Sequence, residues 1–209
     1  MRLRRKPNIV PRMERCSHLF VTPPTKFKGQ WQNELKCENL HIELGCGKGR
    51  FTVETAKANP DIFFIGLEKI SDAIINAVES ADSEGLQNLR FINALADNLD
   101  DYFAPGEVSR IYINFCDPWP SNRHIKRRLT SPRFLKLYKY VLCTAGELHF
   151  KTDNLPLFEY SLKEFEFAGF QLSEVTRDLH KNGVVGVMTD YERKFHDMGM
   201  PICRVVASV

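Results

Sequence analysis

The sequence lacks the cysteine spacing of a redox or structural-metal protein. Its six cysteines stand apart at positions 16, 37, 46, 116, 143 and 203, so no two form a CxxC pair and no metal site is expected. No run of about 18 apolar residues is present to cross a membrane. Prolines and charges interrupt residues 8–20, where a secretory signal would need an apolar stretch. These absences predict a cytoplasmic protein with no membrane partner.

Charge is distributed unevenly along the chain. The 209 residues include 29 Lys and Arg against 26 Asp and Glu, for a formal net charge of only +3. Residues 1–15 nevertheless hold six cations against one acid, and residues 118–146 hold seven cations and no acid. Such clustered positive potential is typical of a face that binds a polyanion. A solvated helix face together with a frayed basic terminus is the alternative.

Short apolar runs alternate with helical patterns, which predicts one α/β domain over residues 29–209 after a basic N-terminal arm at 1–28. Runs rich in β-branched and aromatic residues predict buried parallel strands at 40–44, 62–67, 89–93, 110–115 and 147–151. Cap and stop residues predict helices at 51–58 and 71–83, from Ser131 toward Gly146, and from Asn154 to Gly169. This order predicts an open, doubly wound sheet, closed by a hairpin-like pair of strands at 170–175 and 202–206.

Ligand-binding residues in such a sheet follow the carboxyl ends of the strands. After the first predicted strand, Glu43 precedes a turn that contains Gly45 and Gly47, where glycine lets the backbone approach a ligand closely. Arg50 stands where a dinucleotide site would have its third glycine, which argues against NAD. An acid before such a turn resembles the cofactor motif of class I S-adenosylmethionine-dependent methyltransferases. A simple strand-to-helix turn is the alternative.

The next two strand ends offer contacts for a ribose and an adenine. Glu68 can accept hydrogen bonds from both ribose hydroxyls of adenosylmethionine or NAD, and the alternative is a surface acid paired with the lysine that follows it. Asn93, or a backbone group near it, is expected to bind the amino edge of adenine, and Leu95 to cover the ring.

A carboxylate, a rigid turn and a basic cluster follow the fourth predicted strand. Asp117 opens the sequence Asp-Pro-Trp-Pro, and the cluster after it comprises Arg123, His124, Lys126, Arg127 and Arg128. The prolines fix the turn, Trp119 offers a stacking face, and the cations can neutralise phosphates. An Asp-Pro turn without a functional role is the alternative.

Four motifs in combination resemble the bacterial tRNA (guanine-N7)-methyltransferases: residues 43–49 (ELGCGKG), 117–128 (DPWPSNRHIKRR), 149–154 (HFKTDN) and 188–195 (MTDYERKF). The resemblance covers roughly residues 28–209. It implies a class I, Rossmann-like methyltransferase fold, with an open, mostly parallel seven-stranded sheet, helices on both faces and an antiparallel last strand. It also implies methyl transfer from S-adenosylmethionine to N7 of a guanosine in the tRNA variable loop, usually position 46.

The resemblance, together with the strand-end positions, assigns the site residues. The expected cofactor contacts are Glu43, Gly45, Gly47, Glu68, Asn93, Leu95 and Asp117, with Asp117 also catalytic. The expected tRNA contacts are Ser121, Arg123, His124, Lys126, Arg127, Arg128, Asp153, Thr189, Asp190, Tyr191 and Glu192. Two positions depart from the family, which commonly has an acid at position 95 and a lysine at position 121, so Leu95 offers adenine no side-chain acceptor and Ser121 offers tRNA no cation.

The proposed chemistry needs alignment rather than a strong base, because guanine N7 carries a lone pair and no proton. Asp117 is expected to stabilise the positive charge that transfer leaves on the imidazole ring, and Asp153 or Glu192 to accept from the N1–H and N2–H groups. The alternatives are an amino-group methyltransferase on adenine or protein, a catalytically inactive RNA-binding module and an NAD dehydrogenase. The expected partner is tRNA, and the protein is expected to be a monomer or a homodimer.

Overall fold

The computed structural model describes residues 8–209, and seven strands in that range form one sheet. They are β1 (Leu40–Leu44), β2 (Phe63–Leu67), β3 (Leu89–Ile92), β4 (Val108–Asn114), β5 (Leu142–Thr152), β6 (Gln171–Thr176) and β7 (Cys203–Ser208). Their order across the sheet is β3-β2-β1-β4-β5-β7-β6. Neighbours among β1 to β5 are parallel, whereas β7 lies antiparallel between β5 and β6. The expected mostly parallel sheet with an antiparallel last strand is confirmed.

Helices cover both faces of this sheet. They are α1 (Ile9–Arg15), α2 (Trp31–Leu35), α3 (Arg50–Ala58), α4 (Ser71–Ser83), α5 (Leu99–Tyr102), α6 (Pro132–Val141), α7 (Leu155–Phe167) and α8 (Asp190–Asp197). Successive side chains of a strand point to opposite faces, so Ile42 and Leu44 of β1 pack with α5, α6 and α7 in one core. Phe64 of β2 and Phe91 of β3 pack with α3 and α4 in the other core. No helix between residues 8 and 209 is long and apolar enough to span a membrane.

Local sequence explains where several helices begin and end. Asn154 caps α7 by accepting a hydrogen bond from the Leu157 amide at 2.9 Å, and Gly169 follows its end with a φ of +76°. Gly49, at the start of α3, has a φ of +80°, and a β-carbon there would collide with the side chain of Ala77 on α4. This glycine therefore permits both the turn and the close packing of α3 on α4.

The chain between α6 and β5 differs from the sequence prediction. The helical pattern from Ser131 predicts a helix that continues toward Gly146, yet α6 ends at Val141 and β5 begins at Leu142. Leu142 pairs with Val108, and the register shifts before Glu147 pairs with Arg110. Pairing with β4 thus overrides the helical spacing, and a local irregularity absorbs the extra residues.

The described part of the expected N-terminal arm packs on the domain. The guanidinium of Arg12 in α1 makes a two-pronged contact with Glu79 of α4, one bond of which measures 2.8 Å, and Ile9 is buried. Further on, the Val21 amide donates to the Phe91 carbonyl at 2.9 Å. Residues 8–21 therefore rest against α4 and the β3 edge, while Arg2, Arg4, Arg5 and Lys6 lie outside the described residues.

Candidate functional site

A cleft of about 580 Å³ opens at the carboxyl ends of β1, β2, β3 and β4. Among the predicted cofactor contacts, it is lined by Gly45, Glu68, Leu95 and Asp117. The parallel strands bring these residues together, although they are spread over more than 70 positions of the chain. Within residues 8–209, no group of three or more His, Cys, Asp or Glu side chains is placed to hold a metal ion.

The Glu68 carboxylate joins the glycine turn to the start of α4. One of its oxygens accepts from the Gly47 amide at 3.2 Å and the other from the Ile70 amide at 2.8 Å. The backbone of Gly45 and Gly47 has φ values of +76° and +56°, which glycine adopts without strain. Each carboxylate oxygen keeps a further acceptor position, so Glu68 is held in place at the cleft and can still receive hydroxyl groups.

Glu43 lies beneath the cleft rather than in its wall. The side chain is buried, and its oxygens accept from the Thr52 hydroxyl of α3 and, at 2.9 Å, from the Asn114 amide of β4. Burial raises the pKa of the Glu43 carboxyl above its usual value, against the effect of these hydrogen bonds. In this structure Glu43 therefore ties β1 to α3 and β4.

Asn114 is a cleft residue that the sequence prediction omits. It is the last residue of β4, lines the cleft and donates to Glu43. Its Oδ1 atom is buried and has no hydrogen-bond partner among the described residues. A buried amide oxygen without a hydrogen-bond donor lowers the stability of the folded protein. This atom can therefore accept a hydrogen bond from a donor group on a ligand. The position of Asn114 at the end of a strand is the sequence feature that could have identified it as a site residue.

The side-chain amide of Asn93 makes hydrogen bonds within the protein. Its Oδ1 accepts from the Ser71 hydroxyl at 2.8 Å, and its Nδ2 donates to the Glu68 carbonyl at 2.7 Å. Each of these atoms keeps one further hydrogen-bonding position, so the expected adenine contact through this amide stays a prediction. Leu95 is 48% exposed and lines the cleft together with Asp97, so an apolar and an acidic side chain occupy this wall.

Asp117 stands exposed on a turn with unusual backbone conformations on both sides. Phe115 and Trp119 have φ values of +55° and +41°, and the Phe115 amide donates to the Lys151 carbonyl of β5 at 2.9 Å. Positive φ at non-glycine residues persists only where surrounding contacts enforce it. Burial raises the pKa of the adjacent Cys116 thiol to about 12, so this cleft cysteine is neutral at physiological pH.

Arg128 helps to hold this turn in place. Its guanidinium donates to the carbonyl oxygens of Pro118 and Trp119 at 3.0 and 3.1 Å, and it also stacks over the Tyr160 ring, 4.3 Å from the centroid. Arg128 is half-buried and supports the turn at residues 115–119 with two of its guanidinium nitrogens. Its expected phosphate contact stays a prediction.

The rest of the basic cluster forms a 3₁₀ segment, Asn122–Arg127, in which no side chain is buried. Arg127 lies over Trp119 at 4.9 Å, and the His124 ring meets Trp119 edge-on with centroids 5.6 Å apart. Arg123 and Lys126 are exposed. Arg127 is exposed too, so all three cations can contact phosphates, and Arg127 and His124 also frame the Trp119 ring.

Glu192 anchors α8 to the end of β5. It has no exposed surface. One oxygen accepts from Lys151 at 2.6 Å and from the Thr189 amide at 3.2 Å, and the other contacts His180 at 3.0 Å. Burial lowers the pKa of Lys151, and the Glu192 charge opposes that effect. The predicted guanine contact through Glu192 therefore has no accessible oxygen in this structure.

The other predicted residues of this region lie at the surface. Thr189 caps α8 in a capping box with Glu192, and Asp190 contacts Arg50 at 3.4 Å. Tyr191 is 64% exposed and stacks on Phe195, which stacks in turn on Phe115. An aromatic series thus connects the turn at residues 115–119 to α8.

Asp153 and Ser121 follow strand ends at the same edge of the sheet. Asp153 comes directly after β5 and is half-buried, while Ser121 immediately precedes the 3₁₀ segment and is also half-buried. Both residues retain exposed surface. Their predicted contacts with a substrate stay predictions.

Comparison with known proteins relates this chain to methyltransferases. Residues 37–205 match a protein family described as "Putative methyltransferase". A tRNA (guanine-N(7)-)-methyltransferase of Bacillus velezensis is 46% identical over 206 residues, which are 98% of this chain and 95% of that protein. The protein of the same description from Bacillus subtilis is also 46% identical, over 98% of this chain and 97% of its own length.

Solved structures with little sequence similarity share the fold. The 16S rRNA methyltransferase KamB superposes with a TM-score of 0.66 at 16% identity, covering 87% of this chain and 93% of that chain. An antibiotic-related methyltransferase gives a TM-score of 0.62 at 17% identity, over 87% and 92% of the two chains. These likenesses establish the architecture alone.

Proposed function

The chain belongs to the tRNA (guanine-N(7)-)-methyltransferase family, and we propose that it transfers a methyl group from S-adenosylmethionine to N7 of a guanosine in the variable loop of tRNA, usually position 46. The observation that carries the proposal is a relative 46% identical over 98% of the chain, combined with a cleft that holds Glu68 and Asp117. The product is 7-methylguanosine.

The cleft suits adenosylmethionine in size and in the placement of its polar groups. Its volume of about 580 Å³ lies within the usual range for small-molecule sites. Glu68 would receive the ribose hydroxyls, and Leu95 would cover the adenine. The unpartnered Asn114 Oδ1 would accept from the ammonium group of the methionine part. When bound, this cofactor supplies an electrophilic methyl group on a sulfonium.

The protein groups near the reacting base orient it and stabilise charge. Asp117 is exposed at the cleft wall, where its carboxylate can face the imidazole ring that becomes cationic during transfer. The Watson–Crick edge of guanine presents two donors, and Asp153 is the accessible acid for them, because Glu192 is buried and already bonded. Glu192 instead positions α8, which carries Tyr191 to the surface.

The exposed basic side chains give the tRNA backbone a place to bind. Arg123 and Lys126 extend from the 3₁₀ segment that follows the turn at residues 115–119. Contacts between such cations and phosphates neutralise charge without distinguishing one base from another. Ser121 replaces the lysine common in the family, so we assign the phosphate contacts of this segment to Arg123 and Lys126.

Incubation of the protein with an unmodified tRNA transcript and radiolabelled adenosylmethionine tests this function. We expect one label per tRNA, recovered as 7-methylguanosine after digestion to nucleosides, and no incorporation into a transcript whose position 46 is adenosine. Label in methyladenosine or in protein would establish an amino-group methyltransferase instead. Tight tRNA binding without any label would indicate an inactive RNA-binding module.

A further inference from the structure

The basic 3₁₀ segment Asn122–Arg127 is held in place by a few polar contacts. None of its side chains is buried, so core packing does not fix its position. Besides the contacts of Arg127 and His124 with Trp119, the segment is bonded to Arg133 of α6, whose Nε donates to the Lys126 carbonyl at 2.7 Å. The Ser131 hydroxyl adds a longer bond of 3.4 Å to the same oxygen. Arg133 therefore makes the shorter of the two side-chain bonds to this carbonyl.

The same guanidinium reaches the wall of the cofactor cleft. Its terminal nitrogen bonds to a carboxylate oxygen of Asp97, and Asp97, Arg133 and Phe134 all line the cleft. The two side chains are 37% and 50% exposed, so the ion pair by itself contributes little to stability. The planar guanidinium of an arginine donates to the two acceptors from two separate nitrogens in a fixed arrangement, which the single ammonium nitrogen of a lysine does not reproduce.

We propose that Arg133 is a positioning residue that couples occupation of the cofactor cleft to the placement of the tRNA-binding segment. The inference rests on the proposed function, since it takes the cleft as the cofactor site and the segment as a tRNA contact. Because Asp97 lines the cleft, a ligand bound there would contact the segment that carries it and restrict its movement. Arg133 transmits this restriction to the Lys126 carbonyl, so each ligand raises the affinity of the other.

Binding measurements with S-adenosylhomocysteine and an unmodified tRNA transcript test the coupling. For the parent protein, we expect tRNA to bind about fivefold or more tightly when adenosylhomocysteine is present, and adenosylhomocysteine to gain the same factor from tRNA. In Arg133→Ala this ratio falls toward one. Arg133→Lys, which keeps the charge but not the planar guanidinium, loses most of it as well.

Lys136→Ala is the matched control, because it removes the same charge from the exposed side of the same helix. This variant should keep the coupling of the parent, and all three variants should keep the thermal unfolding midpoint within a few degrees. A parent ratio of one, or an undiminished ratio in Arg133→Ala, overturns the proposal. So does a loss of tRNA affinity in Arg133→Ala that is equal with and without adenosylhomocysteine, since that result describes a simple phosphate contact.

The two proposals fail in different ways. Intact coupling in a parent protein that leaves guanine N7 unmethylated counts against the proposed function alone. Normal methylation without coupling counts against the role of Arg133 alone.

Discussion

Replacing Glu192 with glutamine removes the charge that compensates the buried Lys151 ammonium. Glu192 has no exposed surface and Lys151 is 8% exposed, and the 2.6 Å contact between them is the main charge pairing of both. Breaking such a pair from one side typically costs about 3–5 kcal/mol, because the remaining charge stays buried. Because glutamine keeps an oxygen that can accept from Lys151, we expect a loss at the lower end of this range, about 3 kcal/mol in the free energy of unfolding. Cofactor affinity should stay near that of the parent.

Chemical denaturation at neutral pH measures this loss, and hydrogen exchange shows whether α8 opens first. Asp197→Asn is the matched control, because this acid lies on the same helix and its side chain is 68% exposed. It should change stability by no more than about 0.5 kcal/mol. In the Glu192→Gln background, Lys151→Met should recover part of the loss by removing the unpaired charge. A stable Glu192→Gln protein with a sharply reduced turnover rate would refute the anchoring role and favour a direct guanine contact.

Four further outcomes are expected. Glu68→Ala should weaken adenosylmethionine binding by about 1–3 kcal/mol in calorimetry, through lost charge-assisted hydrogen bonds, and an unchanged Kd would place the ribose elsewhere. Asp117→Ala should lower kcat far more than it weakens cofactor binding, because its role is at the reacting base; equal losses would make it a binding residue. Changing Arg123 and Lys126 together to Ala should raise KM for tRNA and reduce the slope of log affinity against log salt by up to about two units, and an unchanged slope would exclude phosphate contacts. Acidification to pH 5 should reduce stability, because burial lowers the pKa of His41 from 6.5 to about 3. The unfolded chain binds this proton near pH 6.5 and the folded chain only near pH 3, so the contribution of His41 to stability falls as pH falls through that window, by about 2 kcal/mol at pH 5; His149, whose pKa burial lowers to about 4, adds to the loss. Denaturation of His41→Phe should show a smaller loss, and an equal loss would assign the effect to other groups.

The strand-end residues show which part of the candidate site the sequence predicts. Gly45, Glu68 and Asp117 are predicted at the ends of three strands, and the structure brings all three to one cleft. This succeeds because parallel strands place their carboxyl ends at a common edge, whatever their separation in sequence. The short apolar runs were sufficient to locate those ends.

The direction of each side chain depends on partners that no local pattern reveals. The sequence predicts Glu43 as a cofactor contact but does not reveal that its carboxylate accepts from Thr52 and Asn114. It predicts Glu192 at the substrate but does not reveal the pairing with Lys151, 41 positions away in the chain. Such pairings appear only when distant segments have been folded together.

The same limit applies to the basic cluster. Its charge predicts a phosphate-binding surface, and Arg123 and Lys126 remain exposed as that requires. Arg128 carries the same charge, but its guanidinium donates hydrogen bonds to two backbone carbonyls. Composition predicts the sign of the charge on a surface. Which cations can bind a ligand depends on the hydrogen-bond acceptors that lie near each of them in the folded protein.

Mapping the methylated nucleotide tests the central proposal most directly. After reaction of the protein with tRNA and adenosylmethionine, borohydride reduction and aniline treatment cleave RNA at 7-methylguanosine, because methylation at N7 leaves a cationic ring that is easily reduced. The proposed function predicts a single new cleavage at guanosine 46 that requires both the protein and the cofactor and disappears with Asp117→Ala. Methyl incorporation without cleavage, or cleavage at guanosines outside the variable loop, would contradict it.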